Sequence, residues 1–193
     1  MSGDAPAWRR HLRPSLRDLE AYHVPSVDAL ARLHANECPE PWPAEVMADI
    51  AERVAAIDLG RYPDRTPLRL RARLAERHGC RPEEVILGNG SDEIIALLLA
   101  VLSGDGERPS AILLPSPTFV MYELSAHAIG LQIIKVPLDQ DLELDGPAMR
   151  RALRERAPAL VFLARPNNPT SSLWDRRLIM ELVAEHPATV FVI

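Results

Sequence analysis

The stretch ALVFLARPNNPTSS, residues 159–172, leaves an apolar run through Pro166, Asn167, Asn168 and Pro169. An Asn-Pro pair makes a turn, because asparagine hydrogen-bonds its own backbone and proline fixes φ, yet a turn does not require a second asparagine. That extra amide either decorates a polar turn or offers a donor and an acceptor to a ligand. A second stretch, ILGNGSDEIIALLLA, runs through Gly88, Asn89 and Gly90 and opens a helix with Ser91, Asp92 and Glu93. Glycines let the backbone fold tightly, and the first amides of a helix have no internal partner, so this geometry can hold a phosphate. The plainer alternative is Ser91 or Asp92 as a simple N-cap. Better-known phosphate loops do not match: Glu93 stands where a dinucleotide fingerprint needs a third glycine, and no Gly-Lys-Ser/Thr is present. In the third stretch, LLPSPTFVMY, Pro115 and Pro117 break a strand and Phe119 follows at the start of a helix. A ring there packs in the core, or lies flat on a planar ligand, where offset stacking adds about 0.5–1.5 kcal/mol beyond area burial.

These groups need elements to position them. PAEVMADIAERVAAI places Val46, Ile50, Val54 and Ile57 at helical spacing after a proline suited to a first turn. TPLRLRARLAERHG repeats the pattern with Leu68, Leu70 and Leu74 and ends at Gly79 as a C-cap. Beyond it the chain alternates: strands at EVILGNG, SAILLPSPTF, LQIIKVPL, ALVFLARP and ATVFVI are separated by helices at SDEIIALLLAVLSG, FVMYELSAHAIG, DGPAMRRALRERA and DRRLIMELVAEH. Such alternation, with nearly continuous apolar strands, predicts an α/β fold: a mostly parallel sheet with helices on both faces. In these sheets ligands sit beyond the carboxyl ends of the strands, and the three unusual stretches fall there. Residues 1–45, rich in proline, read as an arm, and residues 46–193 as part of a larger domain.

Composition narrows the function. The chain is 47% hydrophobic and 25% charged with a formal charge of −5, values of a globular protein of about one domain. No basic run stands out, which disfavours nucleic acid and anionic membranes as partners. Lys135 is the one lysine among 22 basic residues. Cys38 and Cys80 match no metal or redox spacing, the six histidines form no paired motif, and no metal is expected. The first residues lack the apolar region of a signal peptide, and the longest apolar run, 94–102, is too short to span a bilayer, which makes cytoplasm the default.

A phosphate cradle, an aromatic face and an amide at successive strand ends suit a flat, phosphorylated ligand with a polar edge, and pyridoxal phosphate is one. The segments LHANECPEPWP, RYPDRTPLRLRARLAERHG, EEVILGNGSDEIIALLLAVL, PSPTFVMY and FLARPNNPT occur in that order, and together they resemble the N-terminal half of histidinol-phosphate aminotransferases. The resemblance implies fold type I of the pyridoxal-phosphate enzymes, with the large domain incomplete at its C-terminus. It implies that Ser91 and Asp92 hold the cofactor phosphate, that Phe119 stacks on the pyridine ring and that Asn168 addresses the ring's phenolic oxygen. By the same resemblance Tyr62 reaches the cofactor phosphate of the other subunit of a homodimer, and Tyr22 and Asn36 close over the substrate. The substrates implied are an amino donor, histidinol phosphate, and a 2-oxo acid, in histidine biosynthesis. Cis peptide bonds are implied before Pro117 and Pro169.

Two residues depart from the family pattern: Ser171 replaces a glycine, a strained choice if φ is positive there, and Arg165 replaces a small residue. The family's aspartate at the pyridine nitrogen, its Schiff-base lysine and its carboxylate-binding arginines lie beyond the position matching Ile193. Lys135 matches none of them. No catalytic residue is therefore assigned, and the chain alone is expected to be inactive. The strand VILGNG is expected to lose its neighbour, leaving an apolar sheet edge and a poorly soluble chain. Other readings are a different class I/II aminotransferase, a threonine-phosphate decarboxylase, a non-catalytic interaction protein and a nucleotide-binding domain.

Overall fold

A computed structural model describes residues 10–13, 16, 38, 40–64, 66–104 and 110–193. Tyr22 and Asn36 lie outside the described residues. The chain divides into two compact units, one built from residues 87–193 with the described residues before 21, the other from those between 21 and 86.

The smaller unit holds helices α1, Ala44–Ala55, and α2, Leu68–His78, and a short 3-10 turn, Pro82–Glu84. Helix α2 ends as its sequence dictates: Gly79 takes φ 67° and its N–H reaches the Ala75 carbonyl. The Arg71 guanidinium donates from Nε to the Pro82 carbonyl at 3.0 Å, tying α2 to the 3-10 turn. The apolar stripe of α1 is formed, but Val46, Ile50 and Val54 stay exposed and no residue of that helix is buried.

The larger unit carries helices α3, Ser91–Val101, α4, Val120–Ile129, α5, Gly146–Arg156, and α6, Arg176–Glu185. Its strands are β1, Ala111–Ser116, β2, Gln132–Pro137, β3, Leu160–Phe162, and β4, Val190–Val192. The sheet order is β2-β1-β3-β4, and every pair is parallel. Because side chains alternate along a strand, β1 sends Leu113 to one face and Ile112 and Leu114 to the other. The first face buries Leu113, Val161, Ile134 and Val136 with Met149 and Leu153 of α5, Ile179 and Leu182 of α6, and Trp174. The second buries Ile112, Leu114, Leu160 and Phe162 with Ile95 and Leu99 of α3 and Ala126 of α4. Helices therefore cover both faces, as the alternation of apolar segments predicts.

The crossover from β1 through α4 steps to one side of β1, and the crossover from β2 through α5 steps back past it to β3. Right-handed connections running in opposite directions put their helices on opposite faces, which is where α4 and α5 lie. The reversal makes the gap between the carboxyl ends of β1 and β3 the topological switch point, the place where such sheets hold ligands.

One expected strand is missing. Val85 is extended, with φ −108° and ψ 122°, but residues 85–88 form no strand and pair with none among the described residues. An extended segment becomes a strand through hydrogen bonds to a neighbour, and its apolar sequence supplies none.

Candidate functional site

At the carboxyl end of β1 the Ser116-Pro117 bond is cis, and Phe119 caps α4 with φ −58°. The Phe119 ring is half-buried and meets Tyr122 edge to face, 5.4 Å between centroids at 86°. Tyr122 in turn stacks on Phe162 at 4.3 Å and 11°. Phe119 is thus anchored to the second core on one side. It also lines a cavity of about 170 Å³ with Leu114, Thr118, Val120, Glu123 and Lys135. Burial pushes the Tyr122 phenol above its ordinary value.

Past β3 the chain makes two more cis bonds, Arg165-Pro166 and Asn168-Pro169. The bonds before Pro117 and Pro169 match expectation; the one before Pro166 adds to it. The two asparagines divide sharply. Asn168 is exposed, whereas Asn167 is 2% exposed. The Asn167 Oδ1 accepts from the Thr118 hydroxyl at 2.8 Å, and its Nδ2 donates to the Pro117 carbonyl at 3.0 Å and to Thr170 Oγ1 at 2.9 Å. Its backbone closes the turn, donating to the Ser172 carbonyl at 2.9 Å and accepting from the Ser171 N–H at 2.7 Å. The turn after β1 and the turn after β3 are therefore held together at the switch point. Ser171 has φ 61°, the left-handed region where the family writes glycine.

The Arg165 Nε donates to the Trp174 carbonyl at 2.9 Å, and the buried Trp174 indole donates to the Leu142 carbonyl at 3.1 Å. This departure from the family pattern is built into the base of the loop.

At α3 the cap is Gly90, with φ 81° and no side-chain hydrogen bond. Ser91 and Asp92, which the alternative reading makes N-caps, are exposed residues of the first turn and cap nothing. Glu93 folds back to accept the Asn89 N–H. A Cβ on Gly88 would lie 2.7 Å from Ile94 Cδ1 and 2.9 Å from Glu93 Oε2, so these two side chains fold close over the bare backbone of the turn. Helix α3 packs beside α4 through Ile95, Leu99 and Ala126, with Phe119 at the margin of the same cluster. Ser91, Asp92 and Asn168 do not line the cavity beside Phe119.

Tyr62 is 99% exposed in the smaller unit. Lys135 pairs with Glu123 at 2.7 Å, and His127 lies 3.5 Å from the same oxygen. The Lys135 hydrogen bond, opposed by partial burial and aided by the Lys135 charge and His127, holds the Glu123 carboxyl below its usual range. Among the described residues no cluster of His, Cys, Asp or Glu could hold a metal ion, and no helix is long and apolar enough to cross a membrane.

A parallel sheet covered on both faces, with two turns joined at its switch point, defines an α/β protein of the doubly wound kind. The chain belongs to the aminotransferase class I and II family, whose model matches residues 29–192. It is 41% identical over 192 residues to the histidinol-phosphate aminotransferase of Methylibium petroleiphilum, covering 97% of this chain and 51% of that one. It is similar in fold to a protein of Erwinia carotovora atroseptica provisionally named histidinol-phosphate aminotransferase, with TM-score 0.73 and 27% identity over 89% of this chain and 49% of that one. It also resembles the α-aminoadipate aminotransferase of Thermus thermophilus, solved with N-(5'-phosphopyridoxyl)-L-leucine, at TM-score 0.63 and 28% identity over 77% of this chain and 38% of that one. The chain spans about half the length of the curated relatives it matches.

Proposed function

We propose that this chain supplies the cofactor-cradling half of a pyridoxal-phosphate aminotransferase acting on histidinol phosphate and a 2-oxo acid. The observation that carries the reading is the junction of the Phe119 turn and the Asn168 turn at the switch point, through Asn167 and the Pro117 carbonyl 3.0 Å away. The residues present fit the cofactor. The first amides of α3 open without a side-chain cap, Gly88 admits no Cβ without displacing Glu93 and Ile94, and Phe119 and Asn168 offer a ring and an exposed amide. Ser91 and Asp92 would hold the phosphate, Phe119 would cover the ring, and Asn168 would donate to the phenolic oxygen.

When bound, pyridoxal phosphate supplies an electron-withdrawing ring that takes up the electron pair released at the substrate's Cα. This chain's residues orient that ring and exclude water from one face of it. Lys135, the one lysine, is engaged by Glu123 at 2.7 Å and is assigned no part in amine transfer. Tyr62, fully exposed, is free to reach a second chain in a homodimer. Tyr22 and Asn36 belong to the arm of residues 1–45 that would close over substrate, residues 46–193 forming the first part of the cofactor-binding domain, and the reading assigns the protein to the cytoplasm.

The test is titration of the chain with pyridoxal phosphate, followed by absorbance and induced circular dichroism. The chain is expected to bind, and Asn168→Ala to weaken binding roughly two- to tenfold, the loss of one hydrogen bond, without moving the urea midpoint. An unchanged affinity in Asn168→Ala, or no binding by the wild type, refutes the reading.

A further inference from the structure

Among the described residues of the larger unit, Asn167 is the buried polar side chain that the site assignment leaves unused. A primary amide has two donors and an acceptor oxygen, and burial makes each unmet group costly. Here both donors and the oxygen are engaged, and the partners lie in two different turns: Pro117 and Thr118 on one side, Thr170 on the other. Thr170 extends the chain of hydrogen bonds to the Ser172 hydroxyl at 2.9 Å. The partners in the first turn stand 49 and 50 residues from Asn167 in sequence. Thr118 adjoins Phe119, and Asn167 adjoins Asn168. One buried amide thereby sets the separation of the aromatic ring and the exposed amide: Asn168 is its chain neighbour, and Phe119 is the chain neighbour of its partner Thr118.

We propose that Asn167 is the positioning residue of the site: its side-chain amide locks the Phe119 turn to the Asn168 turn, so that both address one flat ligand. The proposal rests on the cofactor reading above, and it gives the doubled asparagine its reason. Asn168 faces the ligand, and Asn167 holds Asn168 in register with Phe119. Aspartate at position 167 keeps the shape but replaces two donors with an acceptor, setting it against the Pro117 carbonyl. Thr118→Val removes the third bond at constant volume.

The experiment is nitrogen-labelled NMR of the full chain together with pyridoxal phosphate titration. In the wild type, the Asn167 side-chain amide protons exchange at least tenfold more slowly than those of Asn168. In Thr118→Val and Asn167→Asp the backbone resonances of Phe119 and Asn168 shift together, and pyridoxal phosphate loses its induced circular dichroism with at least tenfold weaker binding. Ile179→Val, in the core beneath α6, lowers stability but leaves the ligand band intact, which separates positioning from mere folding. Unmoved Phe119 and Asn168 resonances in Thr118→Val, or a wild-type ligand band in Asn167→Asp, overturns the proposal. A wild-type chain that binds no pyridoxal phosphate refutes the cofactor reading alone, and the amide exchange and paired shifts still decide whether Asn167 locks the turns.

Discussion

Ser171 sits at φ 61° in an exposed turn, and among the described residues its hydroxyl makes no hydrogen bond. The Ser172 carbonyl, on the far side of that rotation, accepts the Asn167 N–H at 2.9 Å, so the turn cannot relax to negative φ without losing that bond. For a residue with a Cβ the left-handed region costs about 1–2 kcal/mol. Glycine removes this cost but gives the unfolded chain more freedom, worth about 0.4–1 kcal/mol in the opposite direction. Ser171→Gly should therefore stabilise the chain by about 0.5–1 kcal/mol. In urea, with a slope of about 2 kcal/mol per molar, the midpoint rises by about 0.3–0.5 M. Titration at low protein concentration, followed by far-ultraviolet circular dichroism, reads this directly. Ser171→Ala is the control, since it deletes the hydroxyl and keeps the Cβ, and its midpoint should stay put. A glycine variant no more stable than wild type, or an alanine variant that gains equally, refutes the strain argument.

The Glu123–Lys135 pair makes stability depend on acid. The folded pKa of Glu123 lies below the unfolded one, so the pairing contributes above about pH 4.3 and is lost as pH falls through the folded value. The urea midpoint of the wild type should drop more steeply than that of Lys135→Met between about pH 5 and about pH 3, and parallel profiles would remove the pair from the account. At the sheet edge, β4 has no outer neighbour among the described residues and Val190 is 41% exposed. Val190→Lys should suppress concentration-dependent light scattering by the isolated chain, because a charged edge resists strand addition. Identical scattering from the two proteins would place the association surface elsewhere.

Local signals are legible in the sequence because local physics enforces them. Gly79 ends α2 where helical periodicity stops, and four of the five apolar runs form parallel strands with helices between them. What stays hidden is non-local. The run at residues 85–88 has the composition of a strand, but pairing depends on a neighbour that composition does not reveal. The doubled asparagine is visible, yet which residue is buried depends on a partner turn some fifty residues away. The Tyr122–Phe162 stack that braces Phe119 also joins a helix to a strand distant in sequence. In the sequence Glu93 reads only as the absence of a glycine; its carboxylate instead satisfies the Asn89 amide.

The order β2-β1-β3-β4 also ranks the strands by how they come apart. Local opening begins where backbone hydrogen bonds face water and ends where both edges are paired. β2 and β4 can peel away singly, whereas β1 and β3 are each flanked on two sides and wedged between both layers of helices. The turns bearing Phe119 and Asn168 hang from these two innermost strands. Fraying that loosens the rim of the sheet therefore reaches the gap between those turns last.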